Sequence, residues 1–153
     1  MKETTLAYIE HEGRILMLYR NKKENDLNEG KWIGVGGHME EGETPLECII
    51  RETFEECGLT DKEVTFTYRG IMDFESDTWE AEKVHIFHGI STTETVKECS
   101  EGMLKWIPKK EIPSLNLWEG DMLFLQPLFE TQDFIHILLK YQGDTLIEHK
   151  FLQ

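Results

Sequence analysis

Three glutamates, Glu52, Glu55 and Glu56, stand at spacings i, i+3 and i+4 within Arg51-Glu-Thr-Phe-Glu-Glu56. On a helix, residues so spaced meet on neighbouring turns, so the three carboxylates converge. A helix gains nothing from that. Each like-charged i,i+4 pair costs about 0.2–0.5 kcal/mol, and Lys or Gln would form the helix equally well. Acids late in a helix also oppose its macrodipole. A solvated acidic face is the ordinary explanation of such a run. A hard divalent cation is the other, because Mg²⁺ takes carboxylate oxygens together with waters and substrate phosphates.

The helix that must carry these acids has clear ends. Thr44 suits the N-cap, Pro45 the first helical position, Thr44-x-x-Glu47 forms a capping box, and Gly58 is placed to end the helix. At about 100° per residue, Leu46, Ile49, Ile50, Thr53 and Cys57 share one stripe predicted to pack on a sheet, with the three glutamates to one side of it. The acids therefore border the fold, which favours the cation over the solvated face.

Around this helix the pattern is mostly β. Segments 4–9 and 14–19 read as strands joined across His11-Glu12-Gly13, and 20–31 as a polar loop. Lys31–Gly37 reads as one short buried strand running into glycines. Val64–Phe74, Lys83–Ser91 and Met103–Ile107 are further strands, Trp118–Glu130 a helix despite Pro127, and Phe134–Tyr141 with Thr145–Phe151 a closing hairpin. Mixed strands with two helices predict an α/β (α+β) fold, a mixed sheet between helices.

Composition bounds the function. The 153 residues suit one domain, with no linker, repeat or low-complexity tract to divide them. Sixteen Lys and Arg against 30 Asp and Glu give a net charge of −14, which disfavours duplex nucleic acid as a partner because phosphate contacts need a basic face. No apolar run approaches the roughly 18 residues of a membrane span, and no signal peptide opens the chain, so a cytoplasmic protein without a membrane partner is expected. The three cysteines, Cys48, Cys57 and Cys99, include no C-x-x-C pair, which argues against a disulfide framework or zinc knuckle. His85 and His88 fall on opposite faces of their strand and so make no metal pair. Arg20, Lys22 and Lys23 form the main basic cluster and are candidates for phosphate contacts, Arg20 foremost.

The run Gly37, five residues, Glu43, seven residues, then Arg51-Glu-Thr-Phe-Glu-Glu-Cys-Gly-Leu59 resembles the Nudix box. Every fixed residue is matched; Thr53 stands where an aliphatic residue is usual. The resemblance implies a loop–helix–loop that binds Mg²⁺, with Mn²⁺ as the alternative, and hydrolyses a nucleoside diphosphate linked to another group. It implies Glu52, Glu55 and Glu56 as helix ligands, the Gly36 carbonyl as a further one, and Glu56 or Glu52 as general base. It implies that Glu43 and Arg51 form an internal ion pair, a structural role shared with Gly37 and Gly58.

Outer segments, among them Glu29-Gly-Lys-Trp-Ile-Gly-Val-Gly-Gly37 and Leu117-Trp-Glu-Gly-Asp121, are similar to the branch that hydrolyses 8-oxo-dGTP and related oxidised purine nucleotides. That branch implies Glu101 as a further metal carboxylate, Trp118 stacked on the base, and Asp121 hydrogen-bonded to the purine edge. Ile33 and Gly120 depart from the animal enzymes, which carry an asparagine and an aspartate there. The expectation is a monomeric or homodimeric hydrolase of a nucleoside triphosphate, releasing monophosphate and pyrophosphate, with a part in nucleotide-pool sanitation and DNA repair. The alternatives are a nucleotide-sugar or RNA-end hydrolase, and a binding module without catalysis.

Overall fold

The computed structural model describes residues 1–152. Its strands are β1 (Lys2–His11), β2 (Arg14–Tyr19), β3 (Trp32–Ile33), β4 (Val35–His38), β5 (Val64–Ser76), β6 (Glu82–Ser91), β7 (Met103–Pro108), β8 (Ile135–Gln142) and β9 (Thr145–Phe151). Helix α1 spans Pro45–Cys57, α2 spans Asp121–Glu130, and a 3₁₀ helix covers Lys109–Ser114. The sheet runs β3-β2-β1-β6-β5-β8-β9, with β4 added to β1 and β7 to β2. β1 pairs parallel to β6 and β5 parallel to β8; the remaining pairs are antiparallel. This is the mixed sheet with helices that the pattern predicts.

Alternation along the strands gives each face its own core. Ala7, Ile9, Leu16, Val35 and Phe87 pack against Ile49 and Cys57 of α1 and against Leu59. Tyr8, Met17, Phe74, Ile86, Ile137 and Leu139 point the other way, onto Phe124, Leu125 and Leu128 of α2. The two helices thus cover opposite faces.

Strand β1 shares one edge between two partners. Thr4–Ala7 pair with β4, and Ile9–His11 with β2, so the sheet forks there. The buried strand expected over Lys31–Gly37 is accordingly two strands broken at Gly34, one on β2 and one on β1. Glycine is required at this break. A Cβ on Gly34 would stand 2.4 Å from the Ala7 carbonyl oxygen, and one on Gly36 only 2.0 Å from that of Thr5.

The ends of α1 follow from its sequence. Thr44 Oγ1 accepts the Glu47 N–H at 3.1 Å and Glu47 Oε1 accepts the Thr44 N–H at 2.9 Å. Gly58 adopts φ 79°, and its N–H closes the last turn on the Phe54 carbonyl. The packed stripe differs from the prediction. Leu46 is 47% exposed and Ile50 only half-buried, whereas Cys48 and Glu56 join Ile49, Thr53 and Cys57 in the buried set. Thr53 keeps the aliphatic position of the motif but leaves its hydroxyl buried without a partner among the described residues. An unpaired buried hydroxyl costs about 1–3 kcal/mol. Thr53→Val, which replaces it by a methyl of similar size, should raise stability by about 1 kcal/mol in urea unfolding, and a destabilised variant would mean that Oγ1 has a partner.

Helix α2 starts at Asp121, three residues later than the segment expected from sequence. Pro127 removes an intrahelical N–H, and no basic residue lies in the last turn. Arg69 supplies the missing donors from a β-bulge in β5. Its guanidinium, 3% exposed, donates to the carbonyls of Leu128 at 3.0 Å, Pro127 at 3.4 Å and Asp133 at 2.9 Å.

Candidate active site

A cleft of about 530 Å³ opens beside the fork in the sheet. Such a volume suits a nucleotide-sized ligand. One part of its lining is aromatic and apolar: Ile33, Met72, Phe74, Trp79, Trp118 and Tyr141, with the carboxyl of Asp121 among them. The other part is charged: Glu52 and Arg51 of α1, with Gly36 and Gly37 of β4, Arg20, Lys23 and Glu101.

The carboxylates are fixed by close approach of α1 to β4. A Cβ on Gly37 would lie 2.5 Å from the Glu52 carboxylate, so glycine alone lets that side chain reach the strand. Glu56 is 5% exposed and its Oε2 accepts the Gly36 N–H at 2.9 Å. Its second oxygen, Oε1, is buried with no hydrogen-bond partner among the described residues. Burial first, then the charges of Glu101 and Glu52, push its carboxyl well above the carboxylate range. Glu52 is raised too, again chiefly by burial. Glu55 is the exposed one of the three, its side chain 55% exposed, and it shares Arg51 Nη1 with Glu52, at 3.3 Å and 2.8 Å.

Arg51 organises the loop before the helix. Its Nε donates to Glu43 Oε2 at 2.6 Å and its Nη2 to Glu43 Oε1 at 2.9 Å, a bidentate pair. A third bond runs from Nη1 to Glu52 Oε1 at 2.8 Å. The guanidinium holds the Glu43 carboxyl down at about 2.

Glu101, in the turn before β7, stands with Glu56. One oxygen of each and the Cys99 sulfur all lie within 4.8 Å of one another. Cys99 is the residue that sequence reasoning missed. Counting cysteine pairs finds disulfides and zinc knuckles, whereas this thiol meets carboxylates from two different segments. Burial, then the charges of Glu56 and Glu101, push the Cys99 thiol up.

Arg20 is buried, with two nitrogens already engaged: Nε donates to Asp26 Oδ2 at 2.8 Å and Nη1 to Glu101 Oε2 at 3.3 Å. Lys23 is exposed on the cleft wall, and Lys22 turns away to donate to the Cys99 carbonyl at 3.1 Å. A divalent cation fits this chemistry: several carboxylates, one of them with an orphaned buried oxygen, stand close together. Oxygen donors of this kind suit hard cations.

At the aromatic end, Trp118 is 7% exposed. Tyr141 and Phe74 meet it edge-on, with centroids at 4.8 Å and 5.6 Å. Its Nε1 donates to Asn28 Oδ1 at 2.8 Å, and Lys31 Nζ lies over the ring at 4.6 Å. Burial raises the Asp121 carboxyl to about 7, against the pull of the Trp118 backbone and the Lys31 charge. Glu82 also lines the cleft, accepting from Thr4 Oγ1 at 2.7 Å. Phe74, Tyr141 and Glu82 were also missed from sequence; alternation on β5, β6 and β8 tells which face they occupy, but not that these strands wall a cleft.

The NUDIX domain pattern matches residues 3–126 of the chain. The protein belongs to the Nudix family. The oxidized purine nucleoside triphosphate hydrolase of Danio rerio is 31% identical over 150 residues, covering 97% of this chain and 93% of that protein. The hydrolase of the same name from Mus musculus is 29% identical over 146 residues, covering 95% and 90%. Among solved structures, a MutT protein from Bacillus halodurans superimposes with a TM-score of 0.81 at 24% identity, covering 99% of this chain and 97% of that one. This chain is therefore a Nudix hydrolase, an enzyme that cleaves a pyrophosphate linkage in a nucleotide, and the family generally uses divalent metal ions. No described helix is long and apolar enough to cross a membrane.

Proposed function

We propose that this single-domain enzyme, cytoplasmic and monomeric or homodimeric, hydrolyses a purine nucleoside triphosphate to monophosphate and pyrophosphate with Mg²⁺ or Mn²⁺. The favoured substrates are oxidised purines such as 8-oxo-dGTP, and the biological role is sanitation of the nucleotide pool. The observation that carries this reading is a single cleft lined both by an aromatic group around a buried carboxyl and by Glu52 of the Nudix helix together with Glu101. The activity for which the Danio rerio and Mus musculus relatives are named supports the choice of base.

Glu52, Glu56 and Glu101, with the Gly36 carbonyl and with Glu55 at the exposed rim, would hold the cation. When bound, it neutralises phosphate charge and activates water for attack on phosphorus. Glu56 or Glu52 would take the proton of the attacking water. Arg51 and Glu43 act on geometry, holding the loop and the Glu52 carboxylate in place. Arg20 and Lys23 supply positive charge to the phosphates in an otherwise acidic cleft. Trp118 presents a π-face to the base, and Asp121 its edge partner. With its pKa near 7, Asp121 offers either a donor or an acceptor at neutral pH. Ile33 adds only apolar contact to the base.

The test is pyrophosphate release with Mg²⁺ over a panel of 8-oxo-dGTP, dGTP, a nucleotide sugar and triphosphorylated RNA. The expected result is the highest kcat/KM with the oxidised purine; a nucleotide sugar or RNA end in first place would overturn the base assignment.

Trp118 belongs to the core as well as to the cleft wall, so its removal has two effects. Trp118→Ala should lose about 3–5 kcal/mol of stability. Trp118→Phe should keep most of that stability and raise KM more than it lowers kcat. An unchanged KM in the phenylalanine variant would leave the ring a core anchor only.

A further inference from the structure

We propose that Cys99 makes the carboxylate centre a mixed oxygen–sulfur site, one that binds Zn²⁺ or Co²⁺ through the thiolate and Mg²⁺ through oxygen alone. The inference rests on the divalent-cation reading above and adds a ligand to it. Glu56, Cys99 and Glu101 each offer one donor atom, and the three atoms lie within 4.8 Å of one another. Bonds of about 2.0–2.3 Å to one ion put its donors at most about 4.6 Å apart, so small side-chain rotations bring the three atoms onto a shared ion. An independent observation points to a ligand at this spot. Glu56 Oε1 is shut away from water with no hydrogen-bond partner among the described residues, on a side chain 95% buried by its 5% exposure. A carboxylate oxygen in that condition is costly unless something positive meets it.

The sulfur is held as a ligand would be. Cys99 and Gly102 form an isolated antiparallel bridge, closing a tight turn over Ser100 and Glu101. Within the turn the Glu101 N–H points at Cys99 Sγ from 3.5 Å. A donor aimed at sulfur stabilises the charge it carries as a thiolate. Lys22 fixes the turn from outside by donating to the Cys99 carbonyl, and Arg20 by donating to Glu101. The other two thiols are engaged elsewhere: Cys48 with Thr5 Oγ1 at 3.2 Å, and Cys57 with the Thr53 carbonyl at 3.0 Å.

Binding exchanges the thiol proton for the cation; the S–H bond breaks, a sulfur–metal bond forms and the proton leaves to solvent, with no change of oxidation state. Sulfur adds affinity for borderline cations such as Zn²⁺ and Co²⁺ and adds little for Mg²⁺. An enzyme with this centre works with Mg²⁺ and is captured by much lower concentrations of Zn²⁺.

The test is a Co²⁺ titration of the metal-free protein, reading the near-ultraviolet absorption of sulfur-to-cobalt charge transfer. The wild type should show the band and Cys99→Ser should lose it. The double variant Cys48→Ser/Cys57→Ser, in which Cys99 is the one thiol left of three, should keep it. Zn²⁺ affinity should fall at least about tenfold in Cys99→Ser. Its Mg²⁺ affinity should stay within about twofold of wild type, since Mg²⁺ relies on oxygen. Calorimetric binding of Co²⁺ without the band overturns the sulfur ligand and leaves the carboxylate site standing. Absence of any Co²⁺ or Mn²⁺ binding overturns both. A band that persists in Cys99→Ser, or is missing from the double variant, assigns the sulfur elsewhere and also overturns the proposal; should Cys99→Ser not fold, the double variant decides.

Discussion

Glu56→Gln lowers turnover at least about 10²-fold while the melting temperature holds or rises. The two halves of this expectation come from different atoms of one side chain. Oε2 accepts the Gly36 N–H that ties β4 to α1, and the amide oxygen of glutamine can keep that bond. Oε1 has no partner among the described residues, and an NH₂ in its place turns a lone pair toward no cation. Glutamine also cannot take up the charge that burial and the neighbouring Glu101 and Glu52 disfavour. Loss of activity therefore comes without loss of fold, which a merely structural role would not give. Thermal melts with and without Mg²⁺ supply a second reading. A cation that binds only the native state raises the wild-type melting temperature, and this increment should vanish in the variant. Wild-type turnover in Glu56→Gln would remove the carboxylate mechanism.

The same residue marks how far the sequence could be read. The spacing of Glu52, Glu55 and Glu56 and the caps at Thr44 and Gly58 are local, and α1 runs from Pro45 to Cys57 as they require. Its rotation on the sheet is not local. Apolar periodicity places Leu46 inward and Glu56 beside the stripe, whereas Leu46 is exposed and Glu56 buried. The reversal comes from β4, whose glycines bring a backbone N–H against the helix where a carboxylate can accept it. Hydrophobicity alone does not foresee a buried acid with a donor waiting. The aromatic part of the cleft is further from reach. Phe74, Trp118 and Tyr141 come from β5, the loop before α2, and β8, and they meet because β5 and β8 pair in parallel although β6, β7 and α2 lie between them in the chain. The match to the Nudix box conveys the chemistry of α1 but not the packing that shapes its substrate end.

Asp121→Asn flattens the pH dependence of stability and shifts base selectivity. Asp121 is 4% exposed, and burial raises its carboxyl from the ordinary 3.8 to about 7. The fold therefore favours the protonated acid. Its contribution to stability is fully present below about pH 4 and is lost as pH rises through about 7. At about 1.36 kcal/mol per pH unit the gap is worth up to about 4 kcal/mol. Asparagine, which cannot ionise, should make the protein more stable than wild type at pH 8 and nearly equal to it at pH 4, measured by urea unfolding at the two values. The amide keeps one donor and one acceptor for a base edge but loses the choice between them. The preference for 8-oxo-dGTP over dGTP should therefore fall by about tenfold or more. A stability slope between pH 4 and 7 as steep in Asp121→Asn as in the wild type would move that titration to another buried acid; a shallower slope is expected to remain, because burial also raises Glu56 and Glu52. Unchanged selectivity would place the base edge against a different side chain, with Glu82, the other buried carboxylate lining the cleft beside the aromatic residues, first in line.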